Sequence, residues 1–267
     1  MDKGCDYSSA RPGGAALKAA GFAFAVRYLA EDRRGLTTAE AADLHANGIA
    51  IPLVYESRAT RALGGWQAGV DDGAYALSLA RRLGVPDDRP IYFAVDFDAS
   101  EAQQAPINDY LRGCASVMGA ERVGVYGGFW VVKRCAENGS AHWFWQTYAW
   151  SGGRQYPGNH IYQYKNGEWG GSIDLDEAYG DDYGQWPKPE EASMTPEQVK
   201  AICEEFVSQT FPAYLEAYFD GGFTARNGQN GAPMPRRFWD EDPPVIGATE
   251  DVREIIKEAL QRAADGV

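Results

Sequence analysis

The chain has 267 residues, 45% of them hydrophobic, enough for a sizeable core and too many for wholesale disorder. Its formal net charge of −13 and sequence pI of about 4.7 create a field that repels phosphate backbones, so nucleic acid is excluded as a partner. No run of about 18 apolar residues exists, so no span of a membrane is expected. The opening MDKGCDYSS lacks the apolar stretch of a secretory signal, and the chain is expected to be made in the cytoplasm and to act on the cell wall after release, or to be secreted by a non-classical route.

In residues 1–186, short apolar runs alternate with Ala-rich stretches at helical period, the pattern of a parallel α/β sheet. The first strand is expected at Cys5–Tyr7, with a helix near Gly14–Ala20. Phe22–Leu29 and Ile49–Tyr55 follow as strands, with a helix near Thr38–Asn47 between them. A long helix over Trp66–Leu83 is stopped by Gly84 and Pro86. The fourth strand is Ile91–Phe97, with a helix near Glu101–Met118, and the fifth is Val123–Tyr126, with a helix near Phe129–Glu137. Trp143–Tyr148, Ile161–Tyr164 and Ser172–Leu175 complete eight strands, and the last connections are too short for full helices. The fold class expected is a (β/α)₈ barrel of the TIM type. A doubly wound open sheet competes, but it would normally carry a glycine-rich phosphate turn after strand one, and Arg11-Pro12-Gly13-Gly14 is not one.

After Trp186 the texture changes. Residues 187–194 read as a linker and 195–267 as a helical extension. Thr195, Pro196 and Gln198 form a capping pattern for one helix, and Thr249 caps a last helix with an apolar stripe through Val252, Ile255, Ile256, Ala259 and Leu260. These helices would cover the barrel, pair with another chain, including a second copy, or recognise the wall.

Cys5, Cys114, Cys135 and Cys203 form no CxxC and stand at no zinc spacing with His45, His142 and His160, so buried free thiols are expected. No Ser/His/Asp set is visible. Neither a metal nor another cofactor is expected, although an all-oxygen site for Ca²⁺ or Mg²⁺ is compatible with the acids.

A barrel of this type keeps its site at the C-terminal ends of the strands. Asp6, Glu56, Asp96, Asp98, Asp174 and Asp176 are the acids expected there. Period-two alternation puts Asp96 and Asp98 on one face, and Asp174 and Asp176 likewise. Asp98, ahead of Ala99-Ser100-Glu101, also reads as a helix N-cap. Crowded carboxylates raise one another's pKa, so one can stay protonated and serve as acid while another serves as carboxylate, which is what glycosidic cleavage needs. Asp6, Glu56, Asp96, Asp98 and Asp174 are the candidate catalytic residues. Arg27, Tyr28, Tyr55, Tyr126, Trp145, Tyr148, Gln163 and Asp176, at or near the same strand ends, are the candidate sugar contacts, since aromatic rings stack on the apolar faces of sugars.

These residues carry a family resemblance. Gly4-Cys5-Asp6-Tyr7-Ser8 resembles the opening Gly-Ile-Asp-Val-Ser strand of family-25 lysozymes, and IYFAVDFD at 91–98 is similar to their fourth strand, which ends Asp-x-Glu. IYQY at 161–164 and IDLD at 173–176 resemble their closing Trp-Gln-Tyr and Val-Asp-Leu-Asn. More closely, RYL at 27–29, YE at 55–56 and YFAVDFD at 92–98 look like the glycoside-hydrolase-like domain of unknown function found in actinobacterial secreted proteins and phage lysins. The resemblance covers residues 1–186 and implies a wall-glycan hydrolase of the phage-endolysin kind, with Asp6, Asp96 and Asp174 as supporting carboxylates. Asp98 stands where the lysozymes keep a Glu as general acid. One methylene less displaces the carboxyl, so the site is re-formed around Asp98, or Glu56 supplies the acid, or the barrel binds glycan without cutting it.

Overall fold

The structure, a computed structural model, describes residues 1–187. The expected linker beyond Pro187 and the helical extension at 195–267 lie outside the described residues, as does Cys203. Eight strands close into a barrel in chain order. They are β1 (Asp2–Asp6), β2 (Phe24–Tyr28), β3 (Leu53–Tyr55), β4 (Ile91–Ala94), β5 (Val123–Gly127), β6 (Trp143–Thr147), β7 (Ile161–Gly167) and β8 (Ile173–Ala178). Five helices cover the outside: α1 (Gly14–Ala19), α2 (Thr38–Ala46), α3 (Gly65–Leu83), α4 (Gln104–Met118) and α5 (Phe129–Asn138).

The sheet is not wholly parallel. β1 to β7 run parallel, but β8 is antiparallel to both β7 and β1. Parallel neighbours need a crossover of a dozen or more residues. Only Glu168–Ser172 separate β7 from β8, so the pair can form only a hairpin. Its turn uses left-handed backbone at Gly167, Trp169, Gly170 and Gly171.

The strands are buried on both faces, as in other helix-wrapped sheets. Inside the barrel lie Phe24, Val26, Val54, Tyr92, Ala94, Trp145, Ile161 and Ala178, with Tyr183 packed among them. The alternate residues, including Cys5, Ala25, Leu53, Phe93 and Val125, pack under the helices. Cys5, Cys114 and Cys135 are buried free thiols. Thr37 caps α2 by accepting from the Glu40 amide at 3.1 Å. Ser100, rather than Asp98, caps the one-turn 3₁₀ segment that leads into α4, in a capping box with Gln103.

Helices α3 and α4 approach through glycines. A Cβ on Gly69 would lie 1.8 Å from the Tyr110 carbonyl oxygen, and one on Gly113 would lie 2.3 Å from that of Trp66. Gly69→Ala must separate the helices and is expected to cost about 1–3 kcal/mol in denaturant unfolding. Wild-type stability in that variant would contradict the close approach.

Candidate active site

The interior positions at the C-terminal ends of the parallel strands form one polar mouth. Asp6, at the end of β1, is 5% exposed and accepts at 2.6 Å from Nε2 of Gln163 on β7. The same amide nitrogen lies 3.5 Å from Asp174 Oδ2 on β8, and the Gln163 carbonyl accepts from Tyr126 OH at 2.9 Å. Asp174 also accepts from the Gly167 amide at 2.8 Å, so the β7–β8 hairpin turn holds one of its oxygens. Glu56 and Asp96 follow the ends of β3 and β4 and are half-buried.

Electrostatics link these carboxyls into a chain from Glu56 through Asp96 and Asp174 to Asp6. Burial raises the pKa of Glu56, with Asp96 adding to it and Arg34 opposing. Burial and then Asp174 raise Asp96. Burial raises Asp174 against the bond from Gly167. Asp6 is pushed up to about 7, first by burial, then by Asp174, with Gln163 opposing. Tyr28 faces Asp6, Glu56 and Asp96, and burial together with these acids keeps its phenol protonated.

Beneath this layer Asp176 is fully buried. Its Oδ1 accepts from Trp145 Nε1 at 2.9 Å, while Oδ2 meets no donor. Burial, and then the neighbouring Asp6, push the pKa of Asp176 far up, which keeps it neutral. Trp145 and Asp176 are therefore the floor of the mouth rather than sugar contacts.

Four further placements differ from expectation. Arg27 turns behind the barrel wall with no exposure. Its Nε donates to Glu40 at 3.0 Å, and its other nitrogens donate to the carbonyls of Tyr7, Ser8 and Arg34. Its guanidinium also lies 4.0 Å from the Tyr7 ring centroid. Tyr55 faces the helix layer, against Tyr75 and Phe93. Gln163 is buried and spends its amide on the acids. Asp98 does not share Asp96's face: β4 ends at Ala94, the alternation stops there, and Asp98 is exposed while Ala99 tucks into the core. Tyr126 lies inside, its ring 4.4 Å from that of Trp145, and Tyr148 is exposed at the rim.

Sequence reading missed Arg34, which stands by Glu56 and Tyr28. It lines, with Ser8, Ser9, Asp32 and Arg33, a cavity of about 440 Å³. It sits in the β2–α2 loop, where no periodicity marks it. Trp130 and Trp150 were missed too, although each closely follows a strand end. Among the described residues no three ligand-type side chains are arranged to hold a metal, and no helix is long and apolar enough to cross a membrane.

Fold and mouth together define a TIM-type barrel with a row of carboxyls at one end. Residues 15–179 match the Rv2525c-like, glycoside hydrolase-like domain, and the chain belongs to that family. It is 30% identical over 198 residues, 68% of this chain and 82% of the relative, to a Mycobacterium tuberculosis protein named "Putative peptidoglycan hydrolase Rv2525c". The crystal structure of that Tat-secreted protein with L-tartrate superposes with a TM-score of 0.66 at 28% identity, covering 70% of this chain and 99% of the other. An uncharacterized protein of B. stearothermophilus shares the fold, with a TM-score of 0.52 at 18% identity over 67% of this chain and 96% of the other.

Two expectations follow. Asp6 binds its proton more tightly folded than unfolded, so its contribution to stability is full below about 3.8 and is lost as pH rises through about 7. The other raised acids act in the same direction. The melting temperature should fall across that window, and Asp6→Asn should flatten the fall; an unchanged slope would refute the assignment. Arg27→Met strands Glu40 and three carbonyls. It should cost about 3 kcal/mol in denaturant unfolding, the low end for a broken buried pair because Arg11 still reaches Glu40. Full stability with loss of sugar binding would instead return Arg27 to the mouth.

Proposed function

We propose that the chain hydrolyses glycosidic bonds of bacterial peptidoglycan by carboxylate acid/base chemistry. The observation that carries this reading is the row of half-buried to buried carboxyls lining one barrel mouth, each with a raised pKa. Membership of a glycoside hydrolase-like family and the peptidoglycan hydrolase name of the mycobacterial relative support the substrate. The relative's description as Tat-secreted supports action at the wall, and the resemblance of RYL, YE and YFAVDFD to the phage-lysin domain supports a lysin of the muramidase type.

In this mechanism Glu56 is the general acid. It is reachable from solvent, and burial and Asp96 hold its proton above the usual carboxylate range. It protonates the leaving oxygen. Asp96 and Asp174 face the developing oxocarbenium charge, and water completes the cleavage. Gln163 positions Asp6 beneath them. Tyr28, Tyr126 and Tyr148 contact the sugar.

A second reading, a barrel that holds wall glycan without cutting it, is favoured by Asp98, which is shorter than the lysozyme Glu and lies exposed. Mass analysis of fragments from purified wall separates the two. Cleavage should release glycan fragments, faster below the raised pKa of Glu56 than above it. Glu56→Gln should slow release by about 100-fold or more, and Asp98→Asn by less than about tenfold. Wild-type rates in Glu56→Gln would remove Glu56 from the mechanism. Binding to wall with no fragment released would establish the second reading.

A further inference from the structure

On one side of the acid mouth, aromatic side chains stand in solvent. Trp130 opens α5 after β5, and Tyr148 and Trp150 lie on the loop after β6. They are 40%, 43% and 40% exposed. The two loops touch at the base of the indoles, since a Cβ on Gly128 would lie 3.4 Å from Trp150 Cβ. Trp150 has φ of 55°, left-handed backbone that a bulky residue rarely adopts. Ser151 pins it there. Its hydroxyl donates to the Thr147 carbonyl at 2.6 Å and accepts from the Phe129 amide at 3.0 Å and from Gln146 Nε2 at 3.1 Å. A rigid loop thus holds a large apolar ring out in water, with strained backbone.

The same patch carries positive charge. The guanidinium carbons of Arg134 and Arg154 lie 5.4 and 5.6 Å from the Trp130 ring centroid. Neither pairs with an acid among the described residues, in a chain with 38 acidic side chains. Arg134 also donates to the Ala99 carbonyl at 3.5 Å, which ties the patch to the loop bearing Asp98. Indoles alone would suit any sugar. Unpaired guanidiniums beside them suit a sugar that carries a carboxylate, and the acidic remainder of the mouth repels such a group.

We propose that Trp130, Tyr148 and Trp150, with Arg134 and Arg154, form a subsite for a carboxylate-bearing sugar unit, whose ring stacks on the indoles while its carboxylate meets the guanidiniums. This rests on the peptidoglycan reading and deepens it. Acidic units of the strand dock on the β5–β6 side, so the strand crosses the acids in one direction. Arg134 and Arg154 thereby select the substrate, a role apart from the chemistry.

The full chain is titrated with N-acetylmuramic acid, whose lactyl group ends in a free carboxylate, and with neutral N-acetylglucosamine, read by calorimetry. Wild type should prefer the anionic sugar by about tenfold, a preference that shrinks as salt rises. The double variant Arg134→Gln, Arg154→Gln should lose the preference and keep its affinity for N-acetylglucosamine. Trp130→Ala should weaken both sugars by about tenfold. Circular dichroism confirms that the variants fold, and Trp150→Ala serves if Trp130→Ala does not. A double variant that keeps the preference, or tryptophan variants that bind as wild type does, overturns the subsite alone. A wild type that binds neither sugar overturns the peptidoglycan reading and the subsite with it.

Discussion

Gln163 ties the mouth together. One side-chain amide meets Asp6 on β1, Asp174 on β8 and the Tyr126 hydroxyl on β5. Without its N–H groups, Asp6 and Asp174 would face each other in a buried space with nothing between them. Close like charges of that kind cannot both ionise without a compensating donor. Gln163 is neutral, so it orients the acids while lowering the pKa of Asp6 only partly. A lysine there would fix the charges outright and remove the raised pKa values that acid catalysis uses.

The hairpin that closes the barrel makes this arrangement possible. In the β7–β8 register Gln163 stands opposite Asp176, and in the β8–β1 register Asp174 stands opposite Asp6. Reversing β8 therefore brings its two carboxyls, on adjoining levels, beside Gln163 of β7 and Asp6 of β1. The turn itself contributes the Gly167 amide to Asp174. Below, the Trp145 indole holds Asp176, so the acid layer rests on a floor closed to water. The energetic cost of burying acids is limited by keeping Asp176 neutral and by letting Glu56, Asp96 and Asp174 stay partly in contact with solvent.

Much of the element order was legible because strands buried on both faces read as continuous apolar runs and the helices read by their period. The acids at the strand ends were legible for the same reason, since a carboxyl closing an apolar run is conspicuous. Orientation was harder to read. Arg27 and Tyr28 are adjacent, and so are Tyr55 and Glu56; in each pair one side chain enters the barrel and the other enters the helix layer. Alternation states that neighbours point opposite ways. It does not state which way is inward when both faces are apolar. Asp98 was misplaced for a related reason: alternation was carried past Ala94, where β4 ends.

The sequence by itself determined a helix-wrapped barrel with acids at the ends of its strands, because those properties follow from local period and residue type. The tertiary structure decided what depends on register and on distant partners. It sent Arg27 to Glu40, Asp176 to the floor beside Trp145 and Gln163 to the acids. It also brought Arg154, four residues past Trp150 in the chain, to the face of Trp130 at the start of α5. Each of these contacts joins segments whose spacing along the chain carries no trace of their meeting.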